Sequence, residues 1–108
     1  MAHPSVEDLS VEEVKAGMDA GNILLVDVRE PDELVVERIP GAIEMPLKSF
    51  DPAALPDPGD KRLVFSCRSG NRSVTASLLA QEAGLPYGAH MAGGLKAWKA
   101  AGFETEGG

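Results

Sequence analysis

Leu63-Val64-Phe65-Ser66-Cys67-Arg68-Ser69-Gly70-Asn71-Arg72-Ser73 is the stretch from which the rest of the chain reads. Leu63-Val64-Phe65 is a short continuous apolar run, which predicts a strand buried on both faces. The polar residues Cys67 to Arg72 then form a six-residue loop, and a helix follows, marked by Val74, Leu78, Leu79 and Ala83 and stopped at Gly84. A strand that feeds a helix through a loop is a building block of a parallel sheet.

The same alternation extends in both directions. Ser10 with Glu13 makes a capping box, opening a helix over Val11 to Ala20 with Val11, Val14 and Met18 on one face. Ile23 to Val26, continued by Asp27 and Val28, reads as a second buried strand. Pro31 suits the first turn of a short helix through Glu37, and Ile39-Pro40-Gly41-Ala42 turns the chain into a short strand near Ile43 to Met45. Pro46 to Lys61 holds four of the eight prolines and reads as a surface connection with at most a turn of helix around Ser49 to Ala54. Beyond Gly84, a last strand fits between Pro86 and Met91. Gly93-Gly94 then introduces a final helix carrying Leu95 and Trp98 that ends at Gly102. Alternating elements predict an α/β fold, an open parallel sheet flanked by helices on both faces. Ligands of such sheets bind beyond the carboxyl ends of the strands, where Cys67 sits.

Composition narrows the function. The 108 residues are 44% hydrophobic and 25% charged, as in an ordinary globular protein, and are expected to form one domain over residues 1–108. Its ordered core is expected over about residues 5–103, with flexible termini that include His3 and Gly107-Gly108. Ten basic against 17 acidic residues give a net charge of -7, which disfavours nucleic acid and anionic lipid as partners. Glu7, Asp8, Glu12 and Glu13 read as a solvated acidic face. No stretch approaches the roughly 20 apolar residues that span a bilayer. Met1 to Ser10 lacks the features of a signal peptide, so a cytoplasmic location is expected. One cysteine cannot form an intrachain disulfide, and neither a second thiol nor a close histidine cluster offers a metal site. Cys67 is therefore either inert packing or chemistry.

Its surroundings favour chemistry. A thiol becomes a good nucleophile at neutral pH when positive charge or converging donors stabilise its thiolate. Gly70 takes positive φ without steric cost, so the loop can curl its N–H groups into an anion nest, and the following helix adds its own N-terminal donors. Arg68 and Arg72 bring two permanent cations, and Ser69 and Ser73 bring hydroxyl donors for an oxyanion or a bound sulfur. Asp27 and Arg29 lie just after a buried strand. They read first as a structural ion pair or helix cap, and second as groups at the rim of the site. His90 is assigned to the last strand without a catalytic role, because a thiolate stabilised by its loop needs no imidazole base. Leu95 and Trp98 are assigned to the core.

The loop Cys67-Arg68-Ser69-Gly70-Asn71-Arg72-Ser73 resembles the active-site loop of single-domain rhodaneses. Asp27-Val28-Arg29-Glu30-Pro31-Asp32-Glu33-Leu34, Ile39-Pro40-Gly41-Ala42 and Gly93-Gly94-Leu95-Lys96-Ala97-Trp98 with Ala101-Gly102 are similar to other segments of that family, in the same order. Together they cover about Ser5 to Phe103. One departure is Glu37-Arg38, where family members often carry Gly-His. The resemblance implies a sheet of five parallel strands and a Cys67 persulfide that carries sulfur from a donor such as thiosulfate to cyanide, a thiol or a protein acceptor. It implies no metal or organic cofactor. Arg68 is expected to neutralise the donor's sulfonate, and Arg72 to support the loop or share that charge. Two other readings use similar residues. A cysteine-dependent phosphatase or arsenate reductase places five residues between Cys and Arg, whereas four separate Cys67 from Arg72. A non-catalytic persulfide carrier would bind sulfur for a protein partner and turn over slowly by itself.

Overall fold

The computed structural model describes residues 5–107. Its strands are β1 (Glu7–Leu9), β2 (Ile23–Asp27), β3 (Ile43–Glu44), β4 (Arg62–Ser66) and β5 (Ala89–Met91). Its helices are α1 (Val11–Asp19), α2 (Pro31–Val36), α3 (Asn71–Glu82) and α4 (Gly94–Ala100). All strands pair in parallel in the order β1-β5-β4-β2-β3, so the α/β expectation holds. The capping box predicted at Ser10 is present, with Glu13 N–H donating to Ser10 Oγ and Ser10 N–H to Glu13 Oε1.

Side chains alternate across the strands and divide the core between two faces. On one face Leu9, Leu25, Val64, Ala89 and Met91 pack against Val11 and Val14 of α1 and Leu95 and Trp98 of α4. On the other, Val26, Leu63, Phe65 and Cys67 pack against Ala76 and Ala80 of α3. The proline-rich connection forms two 3-10 turns, Leu47–Ser49 and Pro52–Ala54, and lays Leu47, Phe50 and Leu55 over this second face. Its Phe50 ring meets Phe65 edge-on at 5.9 Å.

The second of these 3-10 turns exceeds the single turn of helix expected there, and the fold differs elsewhere too from the sequence reading. β1 has no counterpart there. The buried side of α3 is formed by Ser73, Ala76, Ser77 and Ala80, while Leu79 is exposed. Small residues let this helix lie close to the sheet, and the larger Val74, Leu78 and Leu79, with Ala83, fall to its flanks and outer side. In the stretch read as a flexible end, residues 104–106 make hydrogen bonds to the rest of the domain. Arg38 and Glu106 exchange backbone hydrogen bonds of 2.7 and 2.8 Å, and Trp98 Nε1–H donates to the Glu104 carbonyl at 2.8 Å. This strap anchors Glu37-Arg38, the pair that departs from the rhodanese pattern. The expectations for His3 and Gly108 lie outside the described residues. No helix among the described residues is long and apolar enough to cross a membrane.

Candidate active site

Cys67 follows the last residue of β4, one of the inner strands, and is 1% exposed. Beyond it, Gly70 adopts φ +107°, in the region that favours glycine, and stands at the N-terminal cap of α3. Its N–H then points back at the cysteine and donates to Sγ at 3.1 Å. Arg68, Ser69 and Asn71 are exposed around this buried sulfur. Arg68 and Lys96 line one cleft, and neither has an ion pair or side-chain hydrogen bond with a described residue. The carboxylates of Asp32, Glu33 and Glu37 line the same cleft.

A second support comes from α4, and the sequence reading gave it no part in the site. Leu95 N–H donates to the Cys67 carbonyl at 2.9 Å and Lys96 N–H to the Arg68 carbonyl at 3.0 Å. The first turn of α4 therefore satisfies the outer side of the loop with its otherwise unpaired donors. Such close approach needs Gly94, at φ +55°, because a Cβ there would collide with the Cys67 carbonyl oxygen.

Arg72, expected to support the loop or to share the donor's charge, is engaged by Glu33 of α2. Its guanidinium binds that carboxylate through two hydrogen bonds of 2.5 and 2.9 Å, joining α3 to α2. The Arg72 hydrogen bonds hold the Glu33 carboxyl down at about 2, and the pairing raises Arg72 in turn. Because the folded value lies below the ordinary 4.5, this stabilisation is complete above about pH 4.5 and is lost as pH falls toward 2. The side chains are 32% and 26% exposed, so solvent screening leaves a contribution on the order of 1–2 kcal/mol. Glu33→Gln is expected to lose that amount at pH 7 while its amide oxygen can still accept from Glu30 N–H. Urea titrations should show the gap between wild type and variant closing between pH 4.5 and 2.

Asp27 and Arg29 form the structural pair favoured from the sequence. They are 1% and 2% exposed, with Arg29 Nε and Nη2 donating to the Asp27 carboxylate at 3.0–3.1 Å. Arg29 Nη2 also donates to the Glu37 carbonyl at 2.8 Å.

For Ser73 the sequence predicts a hydroxyl donor to an oxyanion or a bound sulfur. It is buried on α3, 3.5 Å from Cys67 Sγ and 2.7 Å from His90 Nδ1. His90 Nε2 lies 2.7 Å from Asp8 Oδ1. Asp8, still exposed on the acidic face, thus also meets a buried ring. A lone histidine within an apolar three-residue strand gives no sequence signal of these partners, since both become neighbours only through the fold.

The rhodanese-like domain family model matches residues 10–101. The chain belongs to the rhodanese-like domain family. Within it, a curated relative named Sulfurtransferase, from Allochromatium vinosum, is 34% identical over 74% of this chain and 75% of its own length. The uncharacterized protein slr1261 of Synechocystis is 45% identical over 77% of this chain. The match spans only 46% of that relative. Among solved structures, a rhodanese-related protein from Thermoplasma volcanium superposes with a TM-score of 0.78 at 25% identity, covering 93% of this chain and 97% of the other. The rhodanese-like fold is thus shared across nearly the full length of that protein.

Proposed function

We propose that this rhodanese-like domain is a sulfurtransferase that moves a sulfane sulfur through a persulfide on Cys67. The carrying observation is the buried Sγ at a strand end, with a backbone N–H donating to it at 3.1 Å and the exposed Arg68 beside it. A sulfur anion at that point gains a charge-assisted hydrogen bond and a nearby cation. The Cys67 thiolate attacks the outer sulfur of a donor such as thiosulfate, and sulfite leaves with the electron pair of the broken S–S bond. A thiol or cyanide then takes the outer sulfur and returns Cys67 to a thiolate. Arg68 meets the incoming sulfonate, while Ser69, Gly70 and Asn71 shape the loop around it. The relative named Sulfurtransferase supports this reading.

Two features speak against phosphate or arsenate chemistry. Four residues separate Cys67 from Arg72, a short cradle for a tetrahedral oxyanion. Arg72 is also engaged by Glu33 through both hydrogen bonds, so the arginine such an enzyme needs is occupied.

Intact-mass measurement after incubation with thiosulfate tests the proposal. The protein is expected to gain the mass of one sulfur and to lose it on adding cyanide. If neither thiosulfate nor an organic persulfide loads sulfur, the proposal fails. Comparing steady-state turnover with this stoichiometric loading tells a catalyst from a persulfide carrier.

A further inference from the structure

The reaction above makes no use of His90, yet this ring is buried and bonded at both nitrogens. Hydrogen-bond chemistry gives the chain of contacts one direction. The Asp8 carboxylate only accepts, so His90 Nε2 carries the proton between them. In a neutral ring Nδ1 then holds a lone pair and accepts the Ser73 hydroxyl proton at 2.7 Å. The Ser73 oxygen in turn accepts the Cys67 thiol proton at 3.5 Å. Thiol, hydroxyl, imidazole and carboxylate therefore form a continuous series of donors and acceptors with no break. Its middle is dry and its far end is open, for the side chains of His90 and Asp8 are 2% and 42% exposed.

We propose that Ser73, His90 and Asp8 are a proton relay that receives the Cys67 thiol proton and sets the thiolate opposite an imidazolium. The inference rests on Cys67 being the nucleophile. As the S–H bond breaks, its proton joins Ser73 Oγ while the original hydroxyl proton passes to His90 Nδ1. The electron pair stays on sulfur, so the step needs no oxidant or reductant. Sulfite then leaves the donor with its electron pair, as above, and the final transfer returns an electron pair to Cys67 Sγ. The imidazolium opposes that thiolate again without having exchanged its proton, and Asp8 stabilises it throughout. Ser73, His90 and Asp8 act through Cys67 and are positioning residues.

The groups facing His90 are few. β1 presents Asp8, the end of β4 presents Cys67, and the cross-strand neighbour Phe65 is uncharged. From α3 comes the Ser73 hydroxyl, while the adjacent Arg72 is committed to Glu33. Gly70 packs beside the ring, where a Cβ would lie 3.6 Å from Cε1.

The test is the pH profile of Cys67 alkylation by iodoacetamide in the full chain, compared with His90→Asn and Asp8→Asn. Asparagine at position 90 can bond to Ser73 but cannot take up a proton. His90→Asn is expected to slow alkylation at pH 7 about tenfold and move the profile to higher pH, with a smaller effect in the same direction for Asp8→Asn. A folded His90→Asn with the wild-type profile would overturn the relay and leave a purely structural hydrogen bond. Imidazole nitrogen NMR on wild type and Cys67→Ala gives a second reading that needs no change at His90. The charged fraction of His90 at pH 7 should fall when Cys67 is removed, and equal fractions would also overturn the relay. Sulfur loading is read separately. A wild type that follows the relay profile but never gains sulfur would refute the sulfurtransferase proposal and leave the relay standing.

Discussion

Cys67→Ser is expected to keep the fold and to lose cyanide-dependent turnover of thiosulfate by at least about a thousandfold. A serine oxygen in the same place can accept the Gly70 N–H and donate to Ser73, so the loop keeps its bonds. What it loses is an anion at neutral pH and a polarisable sulfur able to form a persulfide. Placing a hydroxyl at a position packed among Val26, Val28 and Phe65 should cost about 1 kcal/mol, too little to unfold an ordinary domain. Thiocyanate release and intact mass measure the loss, and circular dichroism checks the fold. Retention of more than a tenth of wild-type turnover would rule out a covalent path through Cys67.

The sequence made the elements with strong local signals legible. Ser10 with Glu13, the apolar runs at Ile23 and Leu63, and Gly84 each act over a few residues, and the structure places helix, strand and stop there. β1 was hidden for a physical reason. It is three residues long at the sheet edge, and Glu7 and Asp8 give it an acidic surface pattern although β5 supplies its backbone partner. The buried face of α3 is not legible in the sequence because large apolar side chains signal burial in isolation. Here the sheet is close enough that Ser73, Ala76, Ser77 and Ala80 fill the gap.

The candidate site divides in the same way. Cys67 and Gly70 are neighbours in sequence, and their contact follows from one turn of chain. Glu33 lies 39 positions from Arg72, Asp8 lies 82 from His90, and Gly94 meets a loop in another part of the chain. Such pairings are set by strand order. β5 sits between β1 and β4, so one strand carries His90 past both the Asp8 carboxylate and the Cys67 loop. A spacing rule read along the chain has no access to that.

Arg29→Met is expected to lower the unfolding free energy by roughly 3–5 kcal/mol. The variant leaves the Asp27 carboxylate 1% exposed in the parent fold with only the Arg29 backbone N–H, at 3.0 Å, from this partnership. It also removes the donor to the Glu37 carbonyl. Against a typical total of about 5–15 kcal/mol this is a large share, and the urea midpoint should fall accordingly. Adding Asp27→Leu removes the stranded charge and should recover most of the loss, because a buried ion pair and an apolar pair of similar volume are often close in stability. A loss below about 1 kcal/mol for Arg29→Met would mean that water reaches Asp27 and that the pair carries little. The double variant also assigns Arg29 its role. The pair fixes the turn from β2 into α2, α2 holds Arg72 through Glu33, and Arg72 lies in the first turn of α3 beyond the Cys67 loop. If Arg29 acts only through that chain of supports, recovered stability restores sulfur loading as well. A loading defect that persists in the stable double variant would place the Arg29 guanidinium against the donor.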